Sequence, residues 1–397
     1  MEGFTSGMRI LFVHNFYQQF GGEDSVALAE SKMLEERGQE IQVWSRHNDE
    51  IKGYSALQKA AFFPRTIYSH PTIDSVKEAV RKFKPHVAYL HNIYPLISPS
   101  IYDALREEKV PSVQVLHDLR PFCSNGWFYI NGKVCEKCKT GNHIHAALNK
   151  CYRDSYPLSA LYAATMQYNR WNGLFDKVNA FICLTDFFKQ KAVEAGVPEG
   201  KIFVRPNCIT APVWDAPAKV EDYAVYVGRL SSEKGVQTLL RAFQQLPEVP
   251  LKIVGTGPLE GELKAFAEQN GLRNVEFAGF KSGDDKWDLV RGARFAVVSS
   301  EWYENFPISV LEYYAAYKPV VASRIGGLPY IIEEGKTGYL YEAGNAADMA
   351  ATIRKMIADP ARAAEMGARG RKLVETRYGP EESYNNLMQI LEQVIAQ

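Results

Sequence analysis

The sequence predicts an α/β protein made of two doubly wound domains with parallel sheets. Three observations carry that expectation. Short apolar runs of the length of buried strands alternate with stretches of helical period. Several of these runs end in glycine or histidine, as strands do where they deliver a chain to a ligand. The 397 residues are broken near the middle by a proline- and alanine-rich stretch, which leaves room for a core on each side.

In chain order, residues 8–14 (MRILFVH) read as the first strand, followed by a Gly-Gly loop and an amphipathic helix over 24–36. Residues 41–47 (IQVWSRH) supply the next strand. Gly21 and Gly22 let the backbone approach a ligand, but the loop lacks the G-x-G-x-x-G pattern, so no dinucleotide is expected. Residues 55–69 mix aromatics with Lys59 and Arg65 and read as an amphipathic helix broken at Pro64. Residues 86–92 and 111–118 read as buried strands that place His91 and His117 at their carboxyl ends.

The segment 123–151 interrupts this rhythm. Cys123, Cys135, Cys138 and Cys151 follow the spacing C-x11-C-x2-C-x12-C. Four thiolates suit one tetrahedral, structural zinc with no open position for chemistry. A helix over 156–172, strands at 180–186 and 201–207, and a helix over 186–195 complete the first domain, expected over 1–207. Residues 208–221 are the expected linker.

The second pattern starts with a strand at 223–227, the loop GRLSSEKG and a helix at 236–243. Gly228, Arg229 and Lys234 then stand at a strand mouth and a helix start, a place suited to a diphosphate. The strand 251–257 ends in Gly257, and 275–280 leads into Phe280 and Lys281, whose loop is placed to frame a base. A strand at 294–298 and a helix at 307–317 enclose SSEWYENFPISVLEYYAA, with Pro307 read as the first helical residue. Glu304 in the turn and Glu312 in the helix fall roughly 10 Å apart at the helical rise per residue, too far for one acid/base pair. That separation suits hydroxyls on two sugar rings with a phosphate between them; by the resemblance described below, backbone N–H groups around Asn305 and Phe306 would assist Glu304. The second domain is expected over 222–380 and a last helix over 381–397.

The chain carries 46 basic and 46 acidic residues, so nothing encourages a nucleic-acid partner. No apolar run reaches the ~18 residues needed to span a bilayer, and MEGFTSG has no signal-peptide character. The expectation is a cytoplasmic protein, compatible with peripheral contact at the inner face of the plasma membrane.

GRLSSEKG at 228–235, GTGPLE at 255–260, ENFPISVLE at 304–312 and SRIGGLPYIIEEGKTGYLY at 323–341 together resemble the retaining glycosyltransferases of sequence family 4. FGGED at 20–24, HNIYPLISPS at 91–100 and LHD at 116–118 extend the resemblance over nearly the whole chain. Within that family the chain is similar to bacterial enzymes that build capsule, exopolysaccharide or O-antigen chains. The resemblance implies a GT-B fold, with two Rossmann-like domains facing across a cleft. It assigns Arg229 and Lys234 to the nucleotide diphosphate, Glu312 to the ribose and Glu304 to the transferred sugar. Gly22 would approach the diphosphate, His117 would lie beside the sugar as a candidate base, and the last helix would return to the first domain. The implied reaction moves a sugar with retention from a nucleoside diphosphate sugar, UDP being the commonest carrier among relatives, to a glycan or lipid-linked glycan. Fixed cations stabilise the leaving diphosphate, and no cofactor is required for catalysis. A sugar phosphorylase of the same fold and a non-catalytic nucleotide-sugar-binding protein are the rival readings.

Overall fold

The computed structural model describes residues 7–18, 21–214 and 219–397. Phe20 of the FGGED motif, most of the opening MEGFTSG and residues 215–218 of the expected linker lie outside the described residues.

Strands β1 (Arg9–Phe16), β2 (Glu40–His47), β3 (Val87–Leu90), β4 (Ser112–Leu116), β5 (Ala180–Cys183) and β6 (Ile202–Val204) form one parallel sheet in the order β2-β1-β3-β4-β5-β6. Register aligns Ile10 with both Ile41 and Val87, so apolar side chains form rows across the sheet. Strands β7 (Ala224–Val227), β8 (Leu251–Val254), β9 (Val275–Gly279), β10 (Phe295–Val298), β11 (Val320–Ser323) and β12 (Gly338–Tyr341) form a second parallel sheet in the order β9-β8-β7-β10-β11-β12. Strands β3, β4, β5, β10 and β11 are buried along their whole length, as inner strands covered on both faces must be. The edge strand β9 is half-exposed.

The strand order reverses between β1 and β3 in the first sheet and between β7 and β10 in the second. At such a switch point adjacent loops diverge and leave a crevice beyond the carboxyl ends of the strands. The loops that follow these four strands therefore carry the candidate site.

The chain divides into two compact units. One holds Met1–Trp127, Glu136–Arg205 and Tyr384–Gln397, the other Phe128–Cys135 and Pro206–Ser383. The second piece of chain in the latter unit carries the sheet-two core, where Tyr226, Leu239, Phe243, Ile253, Phe295 and Met349 pack together. Phe128–Cys135 contains a small antiparallel hairpin, Tyr129–Ile130 with Lys133–Val134.

Three local expectations change. Pro64 lies inside one helix, Ala56–Ile67, instead of ending it. It stands in the last turn, where a missing N–H costs one hydrogen bond and the helix ends anyway. A helix at His70–Phe83 follows, capped by Ser69, whose hydroxyl accepts the Thr72 N–H. Pro307 is the N-cap of the helix Ile308–Ala315 and not its first helical residue; its ψ of 123° is extended. No helix among the described residues is long and apolar enough to cross a membrane.

Candidate active site

In the second unit the loops after β7 and β10 are stitched together by backbone. Gly235 has φ +62°, and a Cβ there would lie 2.0 Å from the Ser299 carbonyl oxygen, so only glycine permits this approach. Ser299 Oγ donates to the Lys234 carbonyl at 2.7 Å, and the Glu301 N–H donates to the Glu233 carbonyl at 2.8 Å. These links bring Lys234 Nζ to Glu304 Oε1 at 2.6 Å, where Ser300 Oγ also donates at 2.5 Å. The Lys234 ammonium also lies over the Trp302 ring, 5.1 Å from its centroid.

Glu304 is buried. Burial pushes its carboxyl up, but the Lys234 charge and the hydrogen bonds from Lys234, Ser300 and Trp302 outweigh that, so it is held below the ordinary carboxylate range. The next loop holds it in place. The Gly327 N–H donates to the Glu304 carbonyl at 2.6 Å, while Gly326, at φ +58°, passes so near that a Cβ would sit 2.6 Å from the same oxygen.

Arg229 leaves the same loop exposed, and among the described residues no carboxylate pairs with it. Its loop is fixed by close approaches, since a Cβ on Gly257 would lie 2.3 Å from the Leu230 carbonyl oxygen and one on Gly228 2.7 Å from the Tyr226 hydroxyl. Glu312 pairs with Lys286, whose Nζ donates to Oε1 at 2.6 Å. The sequence reading does not name Lys286. Asn305 and Phe306 are both buried. Phe306 meets Tyr378 edge to face at 5.4 Å, and its carbonyl accepts Asn207 Nδ2 at 3.1 Å. No side chain caps the helix at Pro307, and the Val310 N–H donates to the Pro307 carbonyl at 3.1 Å. Phe280 is exposed and Lys281 half-exposed in the loop after β9.

In the first unit Gly21 is the N-cap of the helix Gly22–Glu36, and its N–H donates to Asp24 Oδ2 at 3.0 Å. Asp24 Oδ1 lies 2.8 Å from His14 Nε2, which ties the loop to β1. Among the described residues nothing lies within 4 Å of a Cβ added at Gly22. At the ends of β3 and β4, His91 Nδ1 and His117 Nε2 are 2.8 Å apart. Burial pulls both imidazoles down to about 4. A cavity of about 30 Å³ touches His91, Asn92, Tyr94, His117 and Asp118. Burial pushes the Asp118 carboxyl up to about 6 against the pull of Arg120, which pairs with it at 2.7 Å. Arg120 also donates to the Tyr17 hydroxyl at 2.5 Å, and that hydroxyl donates to Glu23 Oε2 at 2.5 Å.

Residues 20–211 match the family described as Glycosyltransferase Family 4, and residues 215–373 match Glycosyl transferases group 1. Each model covers less than half of the chain, and together they cover most of it; the fold is that of the GT-B glycosyltransferases. An uncharacterized glycosyltransferase of Methanocaldococcus jannaschii is 31% identical over 38% of this chain and 42% of its own length. The D-rhamnosyltransferase WbpZ of Pseudomonas aeruginosa is 37% identical over 39% of this chain and 40% of its own. The chain thus matches about two fifths of the length of these curated relatives. The crystal structure of Anabaena HepE in complex with UDP superposes with a TM-score of 0.68 at 18% identity, over 97% of this chain and 100% of the other. Its likeness establishes the fold.

Among the described residues no group of three or more His, Cys, Asp or Glu side chains is placed to hold a metal ion. Cys123 Sγ faces Asn125 Oδ1 at 3.0 Å, while Cys138 packs with Ala146 and Ala163, with Cys151 against them. Cys135 belongs to the piece of chain that groups with the second unit. Charge also secures the segment: Lys139 pairs with Glu136 and Glu194, and Lys191 with Glu136.

A roomier cavity, about 680 Å³, opens elsewhere in the second unit, beside Trp214, Arg294, Phe295, Lys318 and Pro319. Arg294, Phe295, Lys318 and Pro319 precede or begin β10 and β11, so it lies at the amino ends of those strands. Volume alone does not make it the active site, because open α/β sheets place their chemistry at the carboxyl ends.

Proposed function

We propose that this protein transfers a sugar, with retention, from a UDP-sugar to a hydroxyl of a glycan or lipid-linked glycan during assembly of a surface polysaccharide. One observation carries the reading. Arg229, exposed and without a carboxylate partner among the described residues, leaves the same loop that brings Lys234 to Glu304. Lys234 is half neutralised by Glu304, so Arg229 is the charge free to meet a diphosphate, and Lys234 bridges phosphate to the sugar-facing carboxylate. As the glycosidic C–O bond breaks, negative charge grows on the diphosphate oxygen, and cations already in place stabilise it without reorganisation.

Glu312 is the ribose ligand in this reading, with Lys286 holding its carboxylate in one orientation. HepE, of the same fold, was crystallised with UDP, which supports the choice of nucleotide. The name of WbpZ, a D-rhamnosyltransferase, supports sugar transfer as the reaction. Contact with the inner face of the membrane follows only if the acceptor is lipid-linked.

The test is turnover of purified protein with a panel of nucleoside diphosphate sugars and no acceptor. Slow release of UDP from one UDP-sugar, lost in Arg229→Ala, is the expected result. Sugar release that depends on added inorganic phosphate would replace transfer with phosphorolysis, and no turnover with any donor would leave a binding protein.

A further inference from the structure

The cavity at the amino ends of β10 and β11 shares no lining residue with the site proposed for transfer, and its charge has one sign. At about 680 Å³ it falls within the range of sites that hold small organic molecules. Phe295, Pro319, Met356 and Ile357 supply apolar wall. The charged residues that line it are Lys318, Arg291, Arg294 and Arg371, and among the described residues no aspartate or glutamate joins them.

The three arginines are engaged. Arg294 Nη1 donates to Asp222 Oδ1 at 2.5 Å. Arg371 donates from Nε to Glu375 Oε1 at 2.5 Å and from Nη1 to the Ala315 carbonyl at 2.8 Å. The Arg291 guanidinium lies over the Trp214 ring, 4.6 Å from its centroid, with Asp288 at 3.9 Å. Lys318 differs. It is only 5% exposed, and its ammonium has no hydrogen-bond or ion-pair partner among the described residues.

The local backbone explains how a lysine comes to stand there. After the helix Ile308–Ala315, Tyr317 takes φ +60° and the Lys318 N–H donates to the Tyr313 carbonyl at 2.8 Å. The helix Pro360–Thr376 packs against this left-handed turn so closely that a Cβ on Gly367 would lie 2.0 Å from the Tyr317 carbonyl oxygen. Lys318 therefore enters the wall on backbone held from two sides. Burial, and then repulsion from Arg291, pulls its ammonium down to about 8. A buried cation without a counter-charge costs stability, and an anion entering the cavity offsets that cost.

We propose that this cavity binds a small amphipathic carboxylate, its head on Lys318 and its apolar body along Phe295, Met356 and Ile357. One unsatisfied cation calls for one negative charge. A neutral apolar molecule would leave the ammonium buried and unpaired, and a polyanion would bring charge that an apolar wall cannot meet. Sugar transfer at the carboxyl ends of the strands is not required for this binding, so a failure of either leaves the other standing.

Isothermal titration calorimetry of the full chain with octanoate, 1-octanol and acetate provides the test. Octanoate should saturate a single site per chain. Octanol lacks the charge and acetate lacks the apolar body, so each should bind about 10-fold or more weakly, the scale of one hydrogen bond to a charged group or of a few buried methylenes. Lys318→Met keeps most of the side chain and removes the charge. It should weaken octanoate about 10-fold to 100-fold and leave octanol unchanged. Its melting temperature should equal or exceed that of the wild type, because an unpaired buried charge is gone. Ala363→Phe narrows the cavity from the helix Pro360–Thr376 and should abolish binding of both molecules. The absence of saturable octanoate binding overturns the proposal. So does octanoate that binds no tighter than octanol, or that keeps its wild-type affinity in Lys318→Met or in Ala363→Phe.

Discussion

Replacing Lys234 with methionine tests the link between the buried ion pair and the chemistry. Lys234 Nζ is 2.6 Å from Glu304 Oε1, and the two side chains are 24% and 6% exposed. Removing the cation leaves a buried carboxylate with its hydrogen bonds to Ser300 and Trp302 but without a counter-charge. Breaking such a pair typically costs about 3–5 kcal/mol. The partial exposure of the lysine and the two surviving hydrogen bonds place this case near ~3 kcal/mol, roughly 6–12 °C in the melting transition of a unit this size. Adding Glu304→Gln removes the stranded charge, so the double variant should recover at least half of the loss.

The pH dependence has a definite sign. With Lys234 present, the folded carboxyl of Glu304 is depressed, so its stabilisation exists above the unfolded pKa and is lost as pH falls through the folded value. Without Lys234, burial is opposed by two hydrogen bonds only, and the folded pKa rises. The penalty of Lys234→Met should therefore be smaller at pH 5 than at pH 8. Thermal melts of wild type, both single variants and the double at the two pH values measure it. Equal penalties at both pH values, or a double variant no more stable than Lys234→Met, would refute the reasoning. In kcat the same substitution should cost on the order of 10²-fold or more, the scale of one lost preorganised electrostatic contact.

Arg229→Ala should lower kcat by about 10²-fold and weaken UDP binding by calorimetry, yet leave the melting temperature nearly unchanged, because the side chain is exposed and unpaired among the described residues. Gly326→Ala and Gly271→Ala both place alanine at positive φ, but only the former drives a Cβ into Glu304 backbone, so it should lose stability and activity while Gly271→Ala costs only about 1–2 kcal/mol in chemical denaturation. His91 and His117 titrate near 4 when folded against ~6.5 unfolded, so their contribution is full above that unfolded value and is lost as pH falls toward 4, by at most roughly 3 kcal/mol each; a flat stability profile over that window would contradict it. One zinc on Cys123, Cys135, Cys138 and Cys151 predicts about one equivalent per chain in protein purified without added metal; metal-free protein would remove the zinc expectation.

The strands are readable because burial on both faces makes them continuous apolar runs. Gln114, a polar residue inside β4, does not hide that strand, and the fold satisfies it fully: its amide donates to the His91 carbonyl at 2.5 Å and accepts from the Tyr102 hydroxyl at 2.6 Å. The helix His70–Phe83 escapes the sequence reading although its buried Ile73, Val76 and Val80 keep helical spacing behind a serine cap. Strand β12 escapes it because it has four residues and starts with glycine, and only its neighbour β11 determines its pairing. The loops of the second unit are legible for a local reason. Arg229, Lys234, Glu304 and Glu312 all stand close to a strand end or to the helix that follows it, where sequence order and position in the sheet still agree.

The pairs that hold those residues in place are not legible in that way. Lys286 and Glu312 are 26 positions apart, and Glu30 and Arg205 are 175 apart, so strand order brings them together and no spacing reports it. Glu30 nevertheless leaves one mark. It stands three positions after Ala27 and four before Leu34, both buried, on the inward face of its helix. A carboxylate at an apolar register can be ionised there only if a cation or several donors reach it from another element, since burial alone would neutralise it. That register by itself demands a partner from elsewhere in the chain, and Arg205 meets the demand from the far end of the first sheet.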